Sequence, residues 1–147
     1  TDALAWAEWP EDRLAGITAR EQGQFTLAPM LCGDRLLANF RTEKDGWIRF
    51  ELAPPPVWPP LPADGIEGYR LEDMTPMSGD QSHVPVNWAG KDGLTALGGK
   101  PVAIRVRMHK ATLYSVAMAG RIEHPIEDAV IYDHDPATHP ADGRIGR

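Results

Sequence analysis

The sequence predicts an all-β fold, a two-sheet antiparallel β-sandwich with about eight strands. Three observations lead there. Apolar residues come in short bursts roughly ten residues apart, separated by turn-forming pairs such as Gln22-Gly23, Gly33-Asp34 and Asp45-Gly46. Between Gly46 and Leu52 the apolar Ile48, Phe50 and Leu52 alternate with Arg49 and Glu51, the period of a strand with one wet face. Fourteen glycines and fourteen prolines in 147 residues interrupt the chain too often for a helix bundle.

Taken in order, the bursts predict strands over 13–20, 24–31, 35–41, 46–53, 67–72, 82–88, 101–109 and 112–119. Lys44-Asp45-Gly46 reads as the hairpin turn between the third and fourth, since Asp and Gly accept the positive φ that tight turns demand. Strands four and five are separated by Pro54–Pro62, in which six of nine residues are proline; without amide donors it reads as an extended, polyproline-like loop. Met74–Asp80 is a second irregular connection. Ala89–Pro101 is a third, with room for one helical turn: Asp92 or the backbone at Gly93 caps it ahead of Leu94 and Leu97, and Gly98-Gly99 ends it. The organisation expected is a leader or linker over 1–12, the β-module over 13–120 and an irregular C-terminal extension over 121–147. A chain that opens on Thr1 reads as part of a longer protein.

Charge and composition exclude several function classes. Fifteen basic against twenty-one acidic side chains leave −6, with a pI near 5.3 and no basic run, which argues against general nucleic-acid binding. No apolar run approaches the ~20 residues of a membrane-spanning helix. The lone Cys32 closes no intrachain disulfide and reads as a small buried apolar residue.

A longer pattern runs through Gly68, Leu71, Asp73, Pro76, Gly79 and Asp80, then Trp88, Gly90, Leu94, Leu97, Gly99, Lys100, Pro101, Val102 and Arg105, and closes on Leu113-Tyr114-Ser115. It resembles the C-terminal β-sandwich of bacterial proteins related to the five-bladed β-propeller glycoside hydrolases of families 32 and 43. Gly46-Trp47-Ile48-Arg49-Phe50-Glu51-Leu52 is similar to the "G-x-I-R-V-E-L" strand of that module. This chain departs from the pattern in its proline and Trp58 loop, in Val116 where the pattern has phenylalanine, and in the tail after Ala119. The resemblance implies a jelly-roll module that accompanies a catalytic domain in an extracellular or periplasmic protein, with a structural or sugar-binding role; the hydrolytic carboxylates belong to the propeller.

The candidate carbohydrate contacts are Trp47, Trp58, Trp88 and Tyr69, because a flat aromatic face stacks on the axial C–H bonds of a pyranose. Core packing competes for Trp47 and Trp88. Trp58, held between prolines, is equally suited to a ligand, a neighbouring domain or local packing. Trp6 and Trp9 in the leader suit a contact with a neighbour. No cofactor is implied, except that Asp73, Asp80 and Asp92 are hard oxygen ligands suited to a structural Ca²⁺, against which stand Asx-turns and capping. Asp133, His134, Asp135 and His139 form a compact set of transition-metal donors in the tail, with no strand or helix to fix their geometry. Ser78 or Ser82 beside His83 lacks the context of a nucleophile elbow. Acidic neighbours such as Glu72-Asp73 and Glu127-Asp128 point to opposite faces of a strand and cannot flank one glycosidic bond.

These readings converge on a non-catalytic accessory module that braces an adjoining catalytic domain and binds polysaccharide or oligosaccharide. The alternatives are a freestanding carbohydrate-active hydrolase using carboxylates or the tail histidines, and a purely structural interaction module.

Overall fold

The computed structural model describes residues 8–56 and 63–119. Over these residues the protein is all-β, with an antiparallel sheet of five strands: β1 (Ile17–Thr26), β2 (Met30–Leu31), β3 (Arg35–Ala53), β4 (Asp80–Val86) and β5 (Pro101–Ala119). The order is β1-β5-β3-β4, with the short β2 pairing separately to the start of β5. Residues 1–7, the core of the proline loop (57–62) and 120–147 lie outside the described residues, and with them Trp6, Trp58 and the Asp133–His139 set.

Five strands stand where eight were expected, and the difference has local causes. The segments 35–41 and 46–53 are one strand, β3, and 101–109 and 112–119 are one strand, β5, paired from Arg35↔Ala119 to Ala53↔Ala103. At the expected hairpin the ladder jumps from Thr42↔Ala111 to Trp47↔His109, so 43–46 bulge opposite Lys110 alone and the chain continues in the same direction. Gly46 is required there because a Cβ would run into the Lys110 carbonyl, and Lys110 itself takes a φ of 43°. The Lys110 ammonium clips the bulge by donating to Asp45 Oδ2 at 2.7 Å. A turn-forming pair therefore serves a bend as readily as a reversal, provided that the partner strand runs on past it.

The strand expected over 67–72 is instead a turn through Gly68 (φ 81°) and a short 3-10 turn, Leu71–Asp73. Asp73 accepts a hydrogen bond from the Arg70 amide at 3.0 Å and so closes the turn on itself. The segment still feeds the open edge of β3, because the Leu52 amide donates to the Tyr69 carbonyl and the Ile66 amide to the Leu52 carbonyl. β1 straddles the two strands expected over 13–20 and 24–31, its register slipping between Ala19 and Gln22. The single turn expected near residue 95 is present over Thr95–Leu97, ended at Gly98; Leu94 occupies its N-cap and no side chain caps it.

Pleating sorts the side chains of this sheet onto two faces. The inner face carries Leu36, Ala38, Phe40, Ile48, Phe50 and Leu52 from β3 and Val102, Ile104, Val106, Met108, Ala111 and Leu113 from β5, all buried. The inward positions of β5 change parity across Lys110, which is what the bulge accomplishes. Tyr69, Met74, Trp88, Leu94 and Leu97, from the connections after β3 and β4, cover that face and complete the core with Cys32. Truncating a ring such as Phe50, wholly buried, would cost about 3–5 kcal/mol. Burial pushes the Cys32 thiol up to about 11, with Asp34 adding to the rise.

Candidate ligand-binding face

The outer face of the sheet is a different surface, and beyond the bulge it is the candidate site. Register places Gln22, His109 and Trp47 in one row across β1, β5 and β3; Gln24, Arg107 and Arg49 form the next, and Thr26, Arg105 and Glu51 the third. Alternation explains why: Trp47, Arg49 and Glu51 share one parity while Ile48, Phe50 and Leu52, of the other, fill the core. Gln22, Gln24, Thr26 and Arg107 are exposed, Trp47, Arg49, Arg105 and His109 half-buried, and Glu51 buried.

The third row is structural. Glu51 is ion-paired with Arg105 and also accepts the Leu71 amide at 3.3 Å, while Arg105 reaches the Ala63 carbonyl at 3.0 Å. The carboxylate thus ties the connection after the proline loop to the sheet. Among the described residues no ion pair ties the side chains of the first two rows to the rest of the fold. The Arg49 guanidinium lies 5.7 Å from the centre of the Trp47 ring, and His109 lies 6.2 Å from it, tilted by 31°. Among the described residues neither Arg49 nor Arg107 forms an ion pair, and Arg49 Nε and His109 Nδ1 are buried without a hydrogen-bond partner.

Of the described aromatic residues expected to meet sugar, Trp47 is the one on this open face. Trp88 and Tyr69 are each 3% exposed and packed edge to face at 5.5 Å; the Trp88 indole donates to the Phe50 carbonyl at 3.1 Å. A ring so enclosed offers no face to a ligand, and core packing accounts for both. Trp58 lies outside the described residues. Trp9, 52% exposed, is not part of the core.

The three aspartates proposed for Ca²⁺ are not brought together. Asp73 closes its 3-10 turn, Asp80 bridges Arg13 (2.5 Å) and Arg41 (2.6 Å), and Asp92 lines a polar cleft of about 530 Å³ with Asp34, Arg35, Asn87 and Thr95. Hydrogen bonds from Arg13 and then Arg41 hold the Asp80 carboxyl below its ordinary value. Among the described residues no three His, Cys, Asp or Glu side chains form a group able to hold a metal ion.

Sequence spacing makes His83 a coincidental neighbour of the serines, but the fold brings Asp12 to it. Asp12 Oδ2 lies 2.9 Å from His83 Nε2 and Ser82 Oγ 3.0 Å from Nδ1; Asp12 and His83 both hold positive φ, 56° and 53°. The contact joins the leader to the edge strand β4 on an exposed surface. Arg49, Arg107 and His109 are likewise a group that sequence reasoning misses as a site. The signal is present in β3, where Arg49 has the parity of Trp47; the alignment with β5 is not.

Comparison with protein-family models, curated proteins and solved structures found no match to the chain. No helix among the described residues is long and apolar enough to cross a membrane.

Proposed function

We propose that the chain is a non-catalytic accessory β-module of a glycoside-hydrolase-related protein, one that holds carbohydrate on the outer sheet face around Trp47 and braces an adjoining catalytic domain. The observation that carries the proposal is a half-buried indole fixed on a strand, flanked by the Arg49 guanidinium and the His109 ring and bordered by the exposed amides of Gln22 and Gln24. A flat apolar ring with hydrogen-bond donors near it suits a pyranose, and rigid strands pre-organise it. Glu51, the carboxylate in the register of this face, is committed to Arg105 and the Leu71 amide, which favours holding a glycan over cleaving it.

The bracing role draws on a second surface. Ala15, Ile17, Leu27, Met30, Tyr114 and Val116 line an apolar groove of about 480 Å³, next to the exposed Leu14. In this reading the bulged bends of β3 and β5 are the corners at which the long strands pass between two layers of a jelly-roll-like sandwich, as the family resemblance implies, in an extracellular or periplasmic parent.

Affinity electrophoresis against a panel of plant, algal and bacterial polysaccharides tests the proposal. Trp47→Ala should weaken retention of the bound glycan by roughly fivefold or more, the worth of about 1 kcal/mol of ring contact. Equal retention of wild type and variant would remove Trp47 from the site, and release of reducing sugar by the purified chain would replace a holding role with a hydrolytic one.

A further inference from the structure

We infer that the glycan bound by this face is acidic: a polysaccharide whose pyranose rings carry carboxylate or sulfate groups, gripped by Arg49 and Arg107 while a ring stacks on Trp47. The inference rests on the carbohydrate reading above and adds the substrate class.

Four observations carry it. Three arginines over this face of the sheet are matched by acids: Arg41 and the overlying Arg13 by Asp80, and Arg105 by Glu51. Arg49 and Arg107 have no acid among the described residues, in a chain whose formal charge is −6. The two stand directly opposite each other in the ladder, where like charges destabilise a sheet. That cost is relieved when an anion bridges the pair. Arg49 Nε and His109 Nδ1 are buried without a hydrogen-bond partner, so the fold spends no acceptor of its own on these two side chains.

The stereochemistry agrees. Cross-strand neighbours hold their Cβ atoms about 5 Å apart, so guanidinium forks carried on them are within reach of one shared anionic group. Such forks match planar carboxylate and also accept sulfate. Trp47 lies one step along β3 from Arg49, about 7 Å away at the pleat repeat, close enough for one sugar residue to meet both. A neutral glycan would stack equally well on Trp47 and would leave both charges unused.

The test compares polygalacturonate with its fully methyl-esterified counterpart, which has the same backbone without the charge, and a sulfated galactan with unsulfated galactan. Retention of an acidic member at least about tenfold above its neutral twin at low ionic strength is expected, falling steeply at ~0.5 M salt as exposed charges are screened. Arg107→Gln, a change at an exposed position, should remove most of that preference while leaving the fold intact by circular dichroism. Preference for polygalacturonate identifies the anion as carboxylate; preference for the sulfated galactan identifies it as sulfate. Equal retention of charged and neutral twins, still lost in Trp47→Ala, would overturn the acidic assignment and leave the carbohydrate site standing. Failure to retain any glycan would remove that reading and this one together. Single-stranded DNA retained as strongly as the acidic glycan would overturn it too, by showing a general polyanion surface.

Discussion

The outer face of the sheet has two halves made from the same pair of strands, and they use their cations in opposite ways. In the near half, 35–42 against 111–119, the leader folds back across the sheet. Arg13 donates to Asn39 Oδ1 at 2.8 Å, to Asp80 and to the Gln81 carbonyl, and lies 4.9 Å over the Tyr114 ring. Arg41 grips the other oxygen of Asp80 at 2.9 and 2.6 Å, and Asn39, wholly buried, returns a hydrogen bond to the Glu11 carbonyl. In the far half, past the bulge at 43–46, Arg49 and Arg107 face each other, and among the described residues neither is paired with an acid. Cations that the fold consumes belong to its stability, whereas cations that it leaves unmatched are available to a ligand.

The largest expected effect lies where the far half is built like the near one. Glu51→Ala strips the acid from Arg105 and the acceptor from the Leu71 amide, and should cost about 3 kcal/mol in urea unfolding, as removal of one partner from a buried pair does. A loss below about 1 kcal/mol would place Glu51 with the ligand-facing groups and break the division between rows.

Next comes the clamp. Arg13→Ala leaves Asn39 Oδ1 buried without its donor and should cost about 2 kcal/mol, with glycan retention on the far half unchanged. The same clamp shapes the acid limb. Because Arg13 and Arg41 depress the Asp80 carboxyl below 3.8, the stability it contributes is whole above that value and is lost as pH falls through the lowered one. Asp45, depressed by Lys110, acts in the same direction. With Arg13 gone, Asp80 should titrate nearer its ordinary value and the loss of stability on acidification should be shallower. An acid limb identical to that of the wild type would show that Arg13 does not act through Asp80.

The all-β class is legible in the sequence because alternation is a local signal, and Ile48, Phe50 and Leu52 announce it within seven residues. The parity of Trp47, Arg49 and Glu51 is equally local, and it is enough to set Trp47 apart from the core. Trp88 follows the end of β4, where no alternation constrains it, so its burial over Phe50 depends on the path of the connection. The bends at 43–46 and at Lys110 mimic turns because Asp-Gly chemistry permits positive φ in either setting. Only the opposite strand, some sixty residues away in sequence, decides between them. The pairing of Arg49 with Arg107 and the approach of Asp12 to His83 depend on that same long-range register.

The smallest effect is the most discriminating. Arg107 is exposed, has no ion pair among the described residues and stands opposite another cation, so Arg107→Gln should change unfolding free energy by less than about 0.5 kcal/mol, with a slight gain at low salt that vanishes as salt is added. Arg41→Gln is the natural control, since it removes a cation of similar exposure from the matched half and should lose stability where Arg107→Gln does not. If Arg107→Gln destabilised the sheet as much as the control, its charge would have a structural use and the two halves would differ only in layout. A neutral or stabilising outcome beside an impaired acidic-glycan retention separates the two roles, because a side chain kept at some cost to the ladder and of no use to the fold has its interaction partner outside the chain.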